Sequence, residues 1–85
     1  MNIELKDQSK GPAYEQLREQ IEGEIRNQQI TSGEALPSPG RLARKLSVDK
    51  GEVLRAYFEL ERLGLVRKES RKDFLGQARV TYRVA

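Results

Sequence analysis

Apolar positions along the chain change period twice. Ile3 and Leu5 alternate with polar neighbours, which predicts a short extended segment or strand before the break at Gln8-Ser9-Lys10-Gly11. Tyr14, Leu17, Ile21 and Ile25 follow at helical spacing and predict a helix from about Pro12 to Gln28, buried along one stripe. Pro12 suits its first turn, where a missing N–H costs nothing. Gly23 weakens that helix by roughly 1 kcal/mol relative to alanine. Thr31-Ser32-Gly33 reads as a turn, and Leu36-Pro37 as a short extended piece, because a residue before proline avoids the helical region.

Two shorter helices come next. Ser38-Pro39 is an N-cap followed by proline at the first helical position, and Leu42, Ala43 and Leu46 supply an apolar face. Ser47-Val48 makes a tight connection. Asp49 can cap the following helix, with Glu52 three residues on as a capping box would place it. Val53, Ala56, Tyr57, Leu60 and Leu63 form the buried stripe, and Gly64 stops the helix. The period then shortens to two. Leu65 to Glu69 can be a strand, Ser70 to Gln77 is polar around Phe74-Leu75, and Arg79 to Val84 alternates cleanly. That predicts a hairpin with Val80, Tyr82 and Val84 on one face and Arg79, Thr81 and Arg83 on the other. The expected fold class is mainly α with a small β part: three helices plus a C-terminal β-hairpin.

Composition narrows the chemistry. The 85 residues include no cysteine and no histidine, which removes disulfides, thiolate metal sites, the commonest general base and the commonest zinc ligand. No cofactor is expected, and an enzyme is the weakest of the functional classes. A chain of this length is expected to be one domain, 1–85, without room for a deep cleft, so an effector ligand is not expected within it. No apolar run approaches the roughly 20 residues of a membrane span, and Glu4 and Asp7 do not suit a signal peptide, so no membrane partner and a cytoplasmic location are expected. Net charge is −3 over residues 1–40 and +6 over residues 41–85. That asymmetry points to a polyanion, nucleic acid before acidic lipid; a solvated basic surface is the bland alternative.

Two short helices joined by a tight turn are a helix-turn-helix candidate, whose second helix would enter the major groove by its N-terminal residues. Lys50, Gly51, Leu54 and Arg55 lie off the buried stripe and could form that surface; three packed helices with a solvated basic face would look similar. Further residues decide between these. Pro12-Ala13-Tyr14-Glu15-Gln16-Leu17, Gln20-Ile21, Ile30-Thr31-Ser32-Gly33-Glu34-Ala35-Leu36-Pro37-Ser38, Arg41-Leu42-Ala43 and Ala56-Tyr57-Phe58-Glu59-Leu60-Glu61-Arg62-Leu63-Gly64-Leu65-Val66 together resemble the GntR family of bacterial regulators. The Ala-Tyr-x-Glu-Leu-Glu segment and the Ile3/Leu5 leader look most like its YtrA-like branch, and the match covers roughly residues 3–69. The resemblance implies a winged helix-turn-helix domain that binds double-stranded DNA in transcription regulation, usually as a homodimer. Its recognition helix would be about 50–63 and its wing 69–77. The residues expected at DNA are Ser38, Arg41 and Arg44, then Lys50, Gly51, Leu54 and Arg55, then Arg71 and Lys72 in the wing.

The sequence departs from the family pattern at this surface. Gly40 stands where an arginine usually follows Leu-Pro-Ser, and neighbouring Arg41 points about 100° away on a helix. Asp49 and Glu52 would repel phosphate unless they cap the helix or accept from cytosine N4, and capping is the expected role. Leu54 is either a thymine-methyl contact or an exposed apolar residue. Arg71 and Lys72 reach phosphate or minor groove, or else belong to a solvated loop. Phe74 and Leu75 are expected to anchor that loop against the core. Family members carry an effector or dimerisation part after the wing; here dimerisation would need the first helix, the N-terminal strand, or a part absent from this sequence. The competing class is a protein-interaction module on the same scaffold with a degenerate DNA face. An RNA- or structure-specific nucleic-acid binder fits the charge but lacks the aromatic stacking platform expected for single strands.

Overall fold

Three helices and one antiparallel hairpin appear in the predicted order in a computed structural model that describes all of residues 1–85. A 3₁₀ turn at Gln8–Lys10 precedes α1 (Ala13–Arg26), α2 (Pro39–Leu46) and α3 (Lys50–Arg62), and β1 (Val66–Lys72) pairs with β2 (Ala78–Val84). The third helix is the centre of the packing. It contacts α1, α2 and β1, and its Val53, Ala56, Tyr57 and Leu60 are fully buried. Leu17 and Ile21 of α1, Leu42 and Ala43 of α2, and Val66, Tyr82 and Val84 of the hairpin complete the same core. The Tyr57 and Tyr82 rings meet at 4.9 Å and 59°, a tilted pair that joins helix layer to hairpin.

Local chemistry fixes the helix ends. Ser38 caps α2, its Oγ accepting the Arg41 N–H at 3.3 Å, with Pro39 at the first helical position. Gly64 at φ 77° ends α3, where the Leu65 N–H donates to the Leu60 carbonyl and the Gly64 N–H to that of Glu61, both at 3.0 Å. The first helix stops at Arg26, two residues short of the predicted Gln28, because Gln28 takes a left-handed φ of 60°. Leu63 does not join the buried stripe. It is the C-cap of α3, just before Gly64, and is half exposed.

The N-terminal segment is extended but belongs to no sheet. Its Asn2, Glu4 and Lys6 N–H groups donate to side-chain oxygens of Glu24, Gln20 and Gln16 at 3.1, 2.9 and 2.7 Å. Every second residue of the segment thus meets every fourth residue of α1. The repeats match, since two extended residues advance about 6.6 Å and four helical ones about 6.0 Å. Gln16 also donates to the carbonyls of Lys6, Asp7 and Gly11, so this buried amide is fully satisfied. A ladder of side chains replaces the predicted strand pairing and holds Ile3 and Leu5 against the core.

The predicted piece at Leu36-Pro37 is reduced to one bridge between Ala35 and Arg83, with the Leu36 N–H donating to the Tyr82 carbonyl at 2.7 Å. Pro37 has no N–H with which to continue. In the hairpin, pairing runs further than expected, through Arg71 opposite Arg79 and Lys72 opposite Ala78. The polar loop shrinks to a turn around Asp73, whose Oδ1 accepts the N–H groups of Leu75 and Gln77 at 2.9 Å. Phe74 and Leu75 do not anchor that turn to the core: they are 95% and 71% exposed, because the extended ladder carries them beyond its reach.

Candidate nucleic-acid interface

The α2–turn–α3 unit is closed by Ser47 in a left-handed conformation, φ 57°, with the Val48 N–H donating to the Ala43 carbonyl at 3.0 Å. Asp49 precedes α3 in extended backbone geometry, but its side chain makes no cap hydrogen bond. The expected capping box is therefore not formed. Glu52 is engaged elsewhere: its Oε2 accepts the Tyr14 N–H of α1 at 2.9 Å. The first helix opens at Pro12, which offers no side-chain cap, so that N–H would otherwise lack an acceptor. Glu52 caps a different helix from its own, and the contact docks the start of α1 on the start of α3. Arg55 adds to this junction, its guanidinium carbon lying 3.9 Å from the centre of the Tyr14 ring.

Lys50, Gly51, Leu54 and Arg55 are all exposed on the first turns of α3. Lys50 and Leu54 border a shallow depression shared with Pro39 of α2 and with Lys68, Val80 and Tyr82 of the hairpin. Strand alternation explains the hairpin's part. Val66, Lys68, Ser70 and Lys72 share a face with Val84, Tyr82, Val80 and Ala78, opposite them in register. The inner ends of these strands enter the core, and the same face continues outward as a surface adjoining α3. Lys68 lies outside the residues predicted at DNA, although its position two residues after buried Val66 sets it on this face. The alternation also separates Arg71 from Lys72. Arg71 shares the opposite face with Arg67 and Glu69, so the two wing cations splay to either side of the hairpin. Arg41 and Arg44 are exposed on α2, together with Lys45, a further cation outside the predicted set.

Cation pairing is uneven across the molecule, and Lys6 and Lys10 before α1 are among the unpaired cations. Arg18 and Arg26 of α1 both bind Glu22, at 2.6 and 2.9 Å, and Arg62 at the end of α3 binds Glu59 at 3.2 Å. In the hairpin, Arg83 and Arg67 reach Glu69 at 3.0 and 3.5 Å, and Arg79 lies 3.7 Å from Asp73. Arg41, Arg44, Lys45, Lys50, Arg55, Lys68, Arg71 and Lys72 have no carboxylate partner within 4.0 Å. Every basic residue predicted for the interface falls in this unpaired group. No helix is long and apolar enough to cross a membrane.

Residues 13–75 match the model of the gntR family, bacterial regulatory proteins. A stretch of 59 residues is 36% identical to YhcF of Bacillus subtilis (strain 168), an uncharacterized HTH-type transcriptional regulator; it covers 69% of this chain and 49% of YhcF. The structure superposes on YtrA from Sulfolobus acidocaldarius, a GntR-family transcription factor, with TM-score 0.76 and 30% identity, over 99% of this chain and 63% of that one. The fold alone is shared, at TM-score 0.68 and 20% identity, with AraR(DBD) in complex with operator ORX1, over 100% of this chain and 93% of that one. The chain spans about half the length of YhcF and under two thirds of the YtrA chain. This chain belongs to the gntR family of bacterial regulatory proteins and carries the winged helix-turn-helix DNA-binding domain of GntR-type regulators.

Proposed function

We propose that residues 1–85 act as one unit that binds an operator in double-stranded DNA, in the cytoplasm, as part of a transcriptional regulator. Helix α3 enters the major groove by its first two turns, and the hairpin follows the backbone beside it. The observation that carries this reading is the unpaired set of cations on α2, the start of α3 and the hairpin. An exposed lysine or arginine without a carboxylate is free to neutralise phosphate and release counterions. In this arrangement Lys50 and Lys68 flank the groove entrance, while Leu54 faces base edges and fits a thymine methyl. Gly51 adds no bulk, and a β-carbon built there would meet nothing within 4 Å, so backbone and DNA can approach closely. The Ser38 hydroxyl accepts its cap bond and keeps a proton to donate to phosphate, with Arg41 and Arg44 nearby on α2. Arg55 reaches DNA from its seat on Tyr14, which limits its rotamers before binding. Glu52, turned to the α1 N-terminus, accepts no base proton.

A pair of copies on a two-fold operator would present two such helices about one helical turn of DNA apart. Binding a random duplex pool under titrated salt tests the proposal. Affinity should fall steeply with salt, Arg55→Ala and Lys50→Ala should weaken it, and light scattering of the complex should give two chains per duplex. Absence of duplex binding at low salt would refute the DNA-binding reading, and one chain per selected duplex would refute the paired arrangement.

A further inference from the structure

The most exposed large apolar side chains sit next to each other at the wing tip, Phe74 at 95% and Leu75 at 71% exposure. The turn beneath them is tied down. Asp73 Oδ1 accepts two N–H groups, the Asp73 N–H donates to the Gln77 carbonyl and the Gly76 N–H to that of Asp73, all at 2.9 Å. Gly76 takes φ 82°, a conformation that L side chains rarely adopt, which lets the chain return into β2. Such a turn holds its apolar pair outward and prevents its folding back onto the core. Arg71 and Lys72 immediately precede the turn, unpaired and on opposite faces of the hairpin.

We propose that Phe74 and Leu75 form an apolar wedge that enters the minor groove beside the major groove occupied by α3, partly unstacking one base step and bending the duplex. The proposal rests on the DNA-binding reading above and adds a deformation to it. Phenylalanine and leucine wedges between base steps kink a duplex toward the major groove, and the bend brings more backbone onto the protein. Cations on both sides of the wedge suit the two phosphate rails that border a groove about 6 Å wide. Pyrimidine–purine steps such as TA, which unstack most easily, are the preferred point of entry.

The chain has no tryptophan, so Phe74→Trp places a lone fluorophore at the tip. Because Phe74 is almost wholly exposed, its replacement removes no core contact. The probe is a duplex of about 30 bp, recovered by the wild-type chain from a random pool and labelled at both ends for energy transfer. On binding, the tryptophan should be quenched by the bases and lose most of its accessibility to acrylamide, and the wild-type chain should bring the duplex ends closer. Phe74→Ala/Leu75→Ala should bind roughly tenfold more weakly and leave the duplex straight. The wedge is overturned if the bound tryptophan stays open to acrylamide, or if the double alanine variant still bends DNA. It is equally overturned if that variant loses only self-association by light scattering. Failure of the wild-type chain to retain any duplex would instead remove the DNA-binding reading on which the wedge rests.

Discussion

The first helix and the α2–α3–hairpin surface use the same residue types in opposite ways. On α1, Arg18 and Arg26 close on Glu22 from either side. The hydrogen bond from Arg26 leads in holding that carboxyl below the ordinary carboxylate range, against partial desolvation and with help from Arg18. Polar side chains on the same helix also carry the N-terminal segment. On the opposite surface, Arg41, Arg44 and Lys45 of α2, Lys50 and Arg55 of α3, and Lys68, Arg71 and Lys72 of the hairpin are left without acids, whereas Arg67, Arg79 and Arg83 are paired. Charge on α1 is satisfied inside the fold and serves folding. The unpaired cations on the other surface have no such partner within the fold. Net charge alone hides this division; pairing reveals it.

Removing equal charge from each surface is the largest test of the contrast. Lys50→Ala/Lys68→Ala and Arg18→Ala/Arg26→Ala lower net charge equally, so only position differs. The first pair should lose about 30-fold or more in duplex affinity near 0.1 M salt and reduce the log–log salt slope by about 2. The second should change affinity by less than about twofold, since exposed ion pairs and distant screened charges contribute little. Fluorescence anisotropy over a salt series measures both. Equal losses in the two variants would break the comparison.

Gln16→Leu tests the other side. It removes the acceptor for the Lys6 N–H and the donor to three carbonyls in a buried setting. Stability to urea should fall by about 2–3 kcal/mol, while the protein that remains folded binds duplex as before. A large affinity loss without destabilisation would show that α1 takes part in DNA contact.

Much of the fold was legible in the sequence because local signals agreed: Ser38-Pro39 starts a helix, Gly64 ends one, and a period of two follows. The exposure of the basic residues proposed for DNA contact was legible for the same reason, since positions off a buried helical stripe face solvent. Other features depend on partners far along the chain. No periodicity announces that Glu52 accepts from Tyr14, because the need arises from an uncapped Pro12 start in another helix. The pairing of Asn2, Glu4 and Lys6 with Glu24, Gln20 and Gln16 requires a segment and a helix to run antiparallel. Lys68 joins the depression lined by Lys50 and Leu54 only once the hairpin register sets it opposite Tyr82. The tip was misread because hydrophobicity argues for burial, whereas seven-residue strands carry Phe74 out of reach of the core.

Tyr57 ties α3 to the start of α2 and to the hairpin, and its replacement gives a smaller effect. Its hydroxyl donates to the Pro37 carbonyl at 2.8 Å, just before α2 begins. Tyr57→Phe should cost about 1 kcal/mol by leaving that carbonyl without its donor. Burial pushes the phenol well above its ordinary value, with a smaller contribution from Tyr82. The unfolded chain loses the proton near pH 10, while the folded chain keeps it. Stability should therefore fall as pH rises past about 10, and Tyr57→Phe should flatten that part of the decline. Urea midpoints across the alkaline range provide the measurement; an identical slope in the variant would remove the assignment.

Gly40 offers the smallest and most pointed change, because its replacement adds a cation to the surface where the cations are unpaired. It lies in the first turn of α2, and a β-carbon there would meet nothing within 4 Å, so a side chain can start from this position without a clash at its base. Replacing glycine within a helix should itself add roughly 0.5–1 kcal/mol of stability. An arginine reaching one more phosphate should tighten duplex binding by about fivefold at low salt and steepen the salt slope by about 1. Stability and affinity report different things here, so urea unfolding and anisotropy must be read together. A gain in stability with unchanged affinity and slope would place residue 40 off the DNA path. In that case the boundary of the interface would fall between α2's first turn and the Lys50–Lys68 depression.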